Sequence, residues 1–172
     1  MIFGLSFPLI FGLLLGGDYL TAKKKERMLI ASAKSIIESN TGKADKLLNY
    51  NFSEEWIIET CDILDIYAAM DTHFPHVAVI VADRIDNSRV FLSFRYYNRS
   101  RTAEDPPVKM NFMRQTTKVE RDYLTKIFFE NYNEVRFSAR NGRYELFYPY
   151  FKDGKKIVLY FSDYQKYGKI GS

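Results

Sequence analysis

The chain carries one cysteine, Cys61, and two histidines, His73 and His76, in 172 residues. A single thiol excludes an intramolecular disulfide and any Cys-x-x-Cys metal or redox site. Glycine and proline are sparse, at nine and five, and no stretch matches a phosphate-cradling glycine loop, a zinc-protease helix or a nucleophile elbow. The sequence shows no internal repeat and no low-complexity segment, which argues against repeat arrays and disordered linkers. Charged side chains are missing altogether before Asp18.

What is present begins with that uncharged stretch. Ile2 to Gly17 is apolar, close to the roughly 17–25 residues that span a bilayer as helix, and Tyr19 and Leu20 extend it toward an interface. Pro8, Gly4, Gly12, Gly16 and Gly17 would weaken a soluble helix but are ordinary in a membrane one. The Gly12-x-x-x-Gly16 spacing would admit a second helix at close range. Residues 1–22 are therefore expected to be a retained transmembrane anchor. A cleaved secretory signal is the alternative, less suited because no basic residue precedes the run and Leu20-Thr21-Ala22 is a poor cleavage site.

Lys23, Lys24, Lys25 and Arg27 follow at once and are the candidate membrane-surface residues, each worth about 1 kcal/mol on anionic headgroups. By the basic flank, the soluble part belongs on the cytoplasmic side. The net charge of +4 and pI near 9.0 owe a fair part to this cluster, so basicity alone does not point to nucleic acid.

Beyond the anchor, periodicity predicts a juxtamembrane helical segment over 23–52 and an α+β domain over 53–172. Met28, Leu29, Ala31, Ala33, Ile36 and Ile37 recur at helical spacing, and Asn40-Thr41-Gly42 is a stop. Ser53 before Glu54 and Glu55 reads as an N-cap, opening a helix with Trp56, Ile57, Cys61, Leu64 and Ala68 on one face. Val77 to Ala82 is a continuous apolar run, the pattern of a strand buried on both faces, and Arg89 to Tyr97 alternates as its hairpin partner. Residues 98–115 form a long polar loop. Thr117-Lys118-Val119-Glu120 is a capping box for a helix bearing Val119, Tyr123, Leu124, Ile127 and Phe128. Val135–Ala139, Tyr144–Phe151 and Lys156–Phe161, joined at Asn141-Gly142 and Asp153-Gly154, make an antiparallel meander. Pro149 should lie at an edge or a bulge. The sum is a five-stranded antiparallel sheet packed by helices, of PAS-like or Cache-like type. The many meander rings suggest an exposed aromatic face for a partner or ligand.

Chemistry-bearing residues are few. Arg95, Arg99 and Arg101, interleaved with Tyr97 and Asn98, are the candidate ligand-binding residues, suited by charge and stacking to a small anion. No basic stripe continues elsewhere, so nucleic acid is not expected. His73 and His76 with Cys61 and Asp71 have no specific metal spacing, and Cys61 on an apolar helix face suits an inert thiol. No metal, cofactor or catalytic residue is assigned.

In layout the chain resembles the membrane-anchored PAS-like sensor domains of bacterial signalling proteins, especially the haem-associated family. Ser93, Asn98, Glu120, Leu124 and Phe128 stand where that family has its strand serine, its loop asparagine and its helix Glu, Leu, Phe pattern. The family's Arg-Asn-Pro loop is replaced by Tyr97-Asn98-Arg99, and with no Cys-x-x-Cys-His covalent haem attachment is excluded. The resemblance implies an extracytoplasmic sensor domain, opposite to the side given by the basic flank. With no output module following, the expectation is a non-enzymatic, single-pass membrane protein, either an accessory subunit of a membrane complex or a stand-alone sensor. Its partners would be lipid and other subunits or a second copy. The alternatives are an enzyme using the 98–115 loop, or a nucleic-acid or lipid-surface binder.

Overall fold

The computed structural model describes residues 6–70, 76–96, 106–140 and 143–164. Four helices, α1 (Ser6–Glu38), α2 (Thr41–Leu48), α3 (Glu54–Met70) and α4 (Lys118–Phe129), pack on five strands. The strands are β1 (His76–Ile85), β2 (Ser88–Arg95), β3 (Arg136–Arg140), β4 (Arg143–Lys152) and β5 (Lys155–Tyr164). They form one antiparallel sheet in the order β2-β1-β5-β4-β3. The last strand thus lies in the middle, and the α+β class read from the sequence is the one observed.

Strand alternation sends two apolar sets to opposite faces. Val77, Val79 and Val81 of β1, with Leu159 and Phe161 of β5, join the helices α1, α2 and α3 in the larger core. Ala78 and Ile80, with Val158, Tyr160 and Phe147, meet Tyr123, Leu124 and Ile127 of α4. That is why β1 reads as an unbroken apolar run. The meander rings are divided the same way: Tyr144, Phe147, Tyr160 and Phe161 are buried, and Tyr148, Tyr150 and Phe151 are half-buried. Helices therefore cover both faces where an exposed aromatic face was expected.

The turns follow the sequence chemistry. Asp86 and Asn87 have φ of 46° and 64°, Asp153 and Gly154 φ of 50° and 75°, the left-handed values that two-residue hairpins need. The connection 141–142 lies outside the described residues. Pro149 sits in an inner strand, opposite Val158. It lies beyond the end of β3, whose last pair is Arg136 with Phe147, so no strand flanks it on that side. Thr117 caps α4 by accepting from Glu120 N, but Val119 is 65% exposed, in the first turn of the helix and outside its packed stripe.

α1 is a single 33-residue helix that runs from the apolar stretch through the basic one without a break. Among the described residues no helix is long and apolar enough to cross a membrane, and the start of the apolar run, residues 2–5, lies outside them. The segment 23–52 is not a layer apart from the domain. Leu29, Ala33, Ile36 and Ile37 of α1, spaced as one helical stripe, and Ala44, Leu47 and Leu48 of α2 are buried in the same core as α3 and the sheet. A boundary at residue 53 would cut through that core.

The described part of the segment expected to be a polar loop packs on the domain. Residues Lys109–Phe112 form a 3-10 turn, Phe112 stacks on Phe94 with centroids 4.8 Å apart, and Met113 bridges to Leu92 of β2. Phe94 also meets the edge of Trp56 at 5.0 Å. Such ring pairs are worth about 0.5–1.5 kcal/mol each beyond the area they bury.

Asp83 ties these pieces together. Its carboxylate accepts from Tyr50 Oη at 2.5 Å and from the Arg84 amide at 2.7 Å, and pairs with Lys109 Nζ at 2.7 Å. Burial pushes its pKa up, but the bonds from Lys109, Tyr50 and the Arg84 amide outweigh it, and the net shift is downward. A depressed folded pKa gives stability that is present above the unfolded value of about 3.9 and is lost as pH falls through the folded value. Asp83→Asn should therefore lower stability near neutral pH by about 1–2 kcal/mol, the scale of hydrogen bonds to a part-buried charge, and flatten the acid limb of a denaturant-unfolding series. An unchanged acid limb would show that the pairing contributes nothing.

Candidate functional site

α4 is twelve residues long and covers only part of its sheet face. Where it ends, the strand positions of the same alternating phase turn polar: His76 on β1, Ser93 and Arg95 on β2, Arg143 and Glu145 on β4, Ser162 on β5. Register brings them side by side. Ala78 is opposite Arg95 and Tyr160, and Ser162 is opposite His76 and Glu145.

A cavity of about 420 Å³ opens here, lined by His76, Val77, Ala78, Arg95, Arg143, Tyr160, Ser162 and Asp163. Small-molecule sites are commonly about 300–1,000 Å³, apolar in the main with a few placed polar groups, and this lining has both. Val77, Ala78 and the Tyr160 ring supply the apolar part, the guanidinium groups of Arg95 and Arg143 the anion-seeking part.

One wall is held by a three-membered polar cluster. Tyr160 Oη donates to Glu145 Oε1 at 2.6 Å, Arg143 Nη2 donates to Tyr160 Oη at 3.2 Å, and Arg143 Nε is 3.2 Å from Glu145 Oε1. Burial, then the bond to the Glu145 carboxylate, raises the Tyr160 phenol above its ordinary pKa. The bond to Tyr160 holds the Arg143 guanidinium still more firmly protonated. A guanidinium has five N–H donors, so these bonds fix Arg143 without using it up. Behind the wall, Arg114 lies 4.3 Å over the Tyr160 ring, paired with Glu120 of α4 and anchored by its amide on Phe91 O at 2.8 Å.

Asp163, at the rim of the lining, has the strand phase of Leu159 and Phe161, and its Oδ2 is 3.0 Å from Lys25 Nζ of α1. Arg95 is set from beneath: the Cys61 thiol, 1% exposed, donates to its carbonyl oxygen at 3.2 Å. Two residues along β2, the Ser93 hydroxyl is buried with no hydrogen-bond partner among the described residues.

Of the predicted ligand residues, then, Arg95 lines the cavity, and Tyr97, Asn98, Arg99 and Arg101 lie outside the described residues. So do Asp71 and His73, while His76 lines the cavity. Among the described residues no three metal-ligating side chains come together. In the basic cluster Lys24 and Arg27 are exposed, Lys23 pairs with Glu26 at 2.9 Å, and Lys25 turns inward to Asp163. Arg143, Glu145 and Ser162 were not picked out from the sequence as site residues, and Tyr160 was read only as one of the meander rings. Their signal was the two-residue phase they share with Phe147 and Val158, which breaks from apolar to polar toward one end of the sheet. Fold and cavity together define an α+β domain with a basic-lined pocket on its central strand. Comparisons with protein-family models, curated proteins and solved structures find no match to this chain.

The cluster gives a direct optical test. In a difference titration between the wild-type protein and Tyr160→Phe, the phenol lost should be one that ionises above the ordinary value near 10. A phenol ionising at or below that value would mean that Tyr160 is neither buried nor bonded to Glu145.

Proposed function

We propose that the chain is a non-enzymatic ligand-binding domain of PAS-like layout, held at a membrane by its N-terminal segment, whose cavity takes a small organic anion such as a carboxylate. The observation that carries this reading is the joint presence of Arg95 and Arg143 in one cavity with apolar Val77 and Ala78. Among the described residues, Glu145 is paired with Arg143 and Asp163 with Lys25. An entering carboxylate would find guanidinium donors and the Ser162 hydroxyl at one end and an apolar floor at the other. Phosphate could use the same donors, but it would leave the apolar floor without a partner.

The sensor reading draws on the place of the pocket at one end of the inner strands β1 and β5. Attachment to a membrane is supported by the uncharged run from Ile2 to Gly17 and by the unbroken passage of α1 from that run into the domain core. Lys24 and Arg27 stand exposed on the same helix, available to anionic headgroups. A protein of this kind works through lipid and through other subunits or a second copy of itself.

Calorimetric titration of the full-length protein in mild detergent, against a panel of mono- and dicarboxylates and inorganic phosphate, tests the reading. Arg95→Gln and Arg143→Gln should each weaken the best carboxylate about tenfold or more, the scale of a charge-assisted hydrogen bond, while Arg84→Gln leaves it unchanged. Absence of binding across the panel at millimolar concentration, or equal affinity in all three variants, would overturn it.

A further inference from the structure

We propose that β3 is a docking edge for an extended acidic segment of a partner protein, which would join the sheet as a further strand. β3 stands last in the order β2-β1-β5-β4-β3, with β4 its one strand neighbour among the described residues. Its five residues, Arg136-Phe137-Ser138-Ala139-Arg140, are half-buried or exposed throughout. None of them lines the anion cavity, so the proposal stands apart from the reading of that site.

Register fixes what the edge presents. Arg136 is opposite Phe147, Ser138 opposite Glu145 and Arg140 opposite Arg143, so all three share the α4 face, on which Phe147 is buried. The Arg136 guanidinium lies 5.1 Å over the Phe147 ring and 5.8 Å over that of Tyr123 in α4. Phe137 turns the other way and stacks on Tyr144, with centroids 6.1 Å apart. The acids beside the two arginines in register and in sequence are engaged elsewhere: Glu145 with Arg143 and Tyr160, and Glu134 with the Tyr132 hydroxyl. Among the described residues neither Arg136 nor Arg140 has an ion-pair partner. Arg140 and Arg143 moreover face each other directly, a like-charge pair that costs stability.

Charged side chains on an edge keep other strands away, and they do so by sign. A second β3 laid antiparallel about Ser138 would set Arg136 against Arg140 twice, so a second copy is refused at this edge. A strand with acids at those two places is admitted. The positions opposite Arg136 and Arg140 are four residues apart and on one face, where carboxylates would form charge-assisted pairs with the guanidinium groups and offset the repulsion between Arg140 and Arg143. The positions opposite Phe137 and Ala139 fall on the other face, beside an aromatic ring, and suit β-branched side chains. The segment that fits therefore reads acid, apolar, polar, apolar, acid. Main-chain bonds would hold it and its alternate side chains would select it, the division of labour in strand addition.

Fluorescence anisotropy of the full-length protein in mild detergent, with the labelled peptide Ser-Glu-Val-Thr-Val-Glu-Ser as probe, tests this. Binding should saturate below about 1 mM. The isomer Ser-Val-Glu-Thr-Glu-Val-Ser has the same composition and charge but moves both acids to the other face, and should bind about fivefold more weakly or worse. Arg136→Gln and Arg140→Gln should each weaken the first peptide about fivefold, the scale of an opposite-charge cross-strand pair, while Arg89→Gln leaves it unchanged. The double variant Arg136→Glu, Arg140→Glu should reject that peptide and take Ser-Lys-Val-Thr-Val-Lys-Ser instead, a gain that a misfolded protein would not show. No saturation in the millimolar range, equal affinity for the two isomers, or equal affinity in all the arginine variants would overturn the proposal.

Discussion

A five-stranded sheet with an apolar strand at its heart must have both faces covered, and here the covers are unequal. α1, α2 and α3 close one face with a continuous core of aliphatic and aromatic side chains. Among the described helices α4 covers the other, over the patch formed by Ile80, Phe147 and Val158. Where it stops, side chains of the same strand phase can no longer be buried among hydrocarbon, and the sequence places Arg95, Arg143, Glu145 and Ser162 there. The polar cavity is the consequence of that mismatch in cover. Its walls are stiff because buried polar groups must find partners, and the Tyr160, Glu145 and Arg143 cluster supplies them.

Much of the fold was legible in the chain because the signals are local. The continuous apolar run of β1, the alternation in β2, Asp153-Gly154 at a turn and the Thr117 cap each depend on residues within a few positions of one another. Three things were not legible for the opposite reason. Phe112 and Arg114 sit in a stretch whose polar residues read as loop, and only the return of that stretch to β2 buries them. Lys25 reads as part of a basic cluster until Asp163, far away in sequence, meets it. Arg143 reads as a turn residue until β5 lies between β1 and β4 and brings it to the cavity that Arg95 lines. Arg95 itself was legible because an arginine at the end of an alternating strand has few apolar neighbours to hide it.

The same physical constraint joins the two halves of the functional reading. The α1 stripe of Leu29, Ala33, Ile36 and Ile37 makes the helix part of the domain and not a tether, so whatever holds its N-terminal end also holds the sheet. Lys25 is the position at which that rigid helix reaches the polar end of the sheet.

The central claim is that Arg95 and Arg143 jointly hold an anion on the sheet. Side-chain NMR of the arginine guanidinium groups during addition of succinate addresses it residue by residue. The Nε resonances of Arg95 and Arg143 should shift together and saturate at one concentration, with Arg84 and Arg121 unmoved. Shifts spread evenly over all the arginines, or confined to groups outside the cavity, would contradict it.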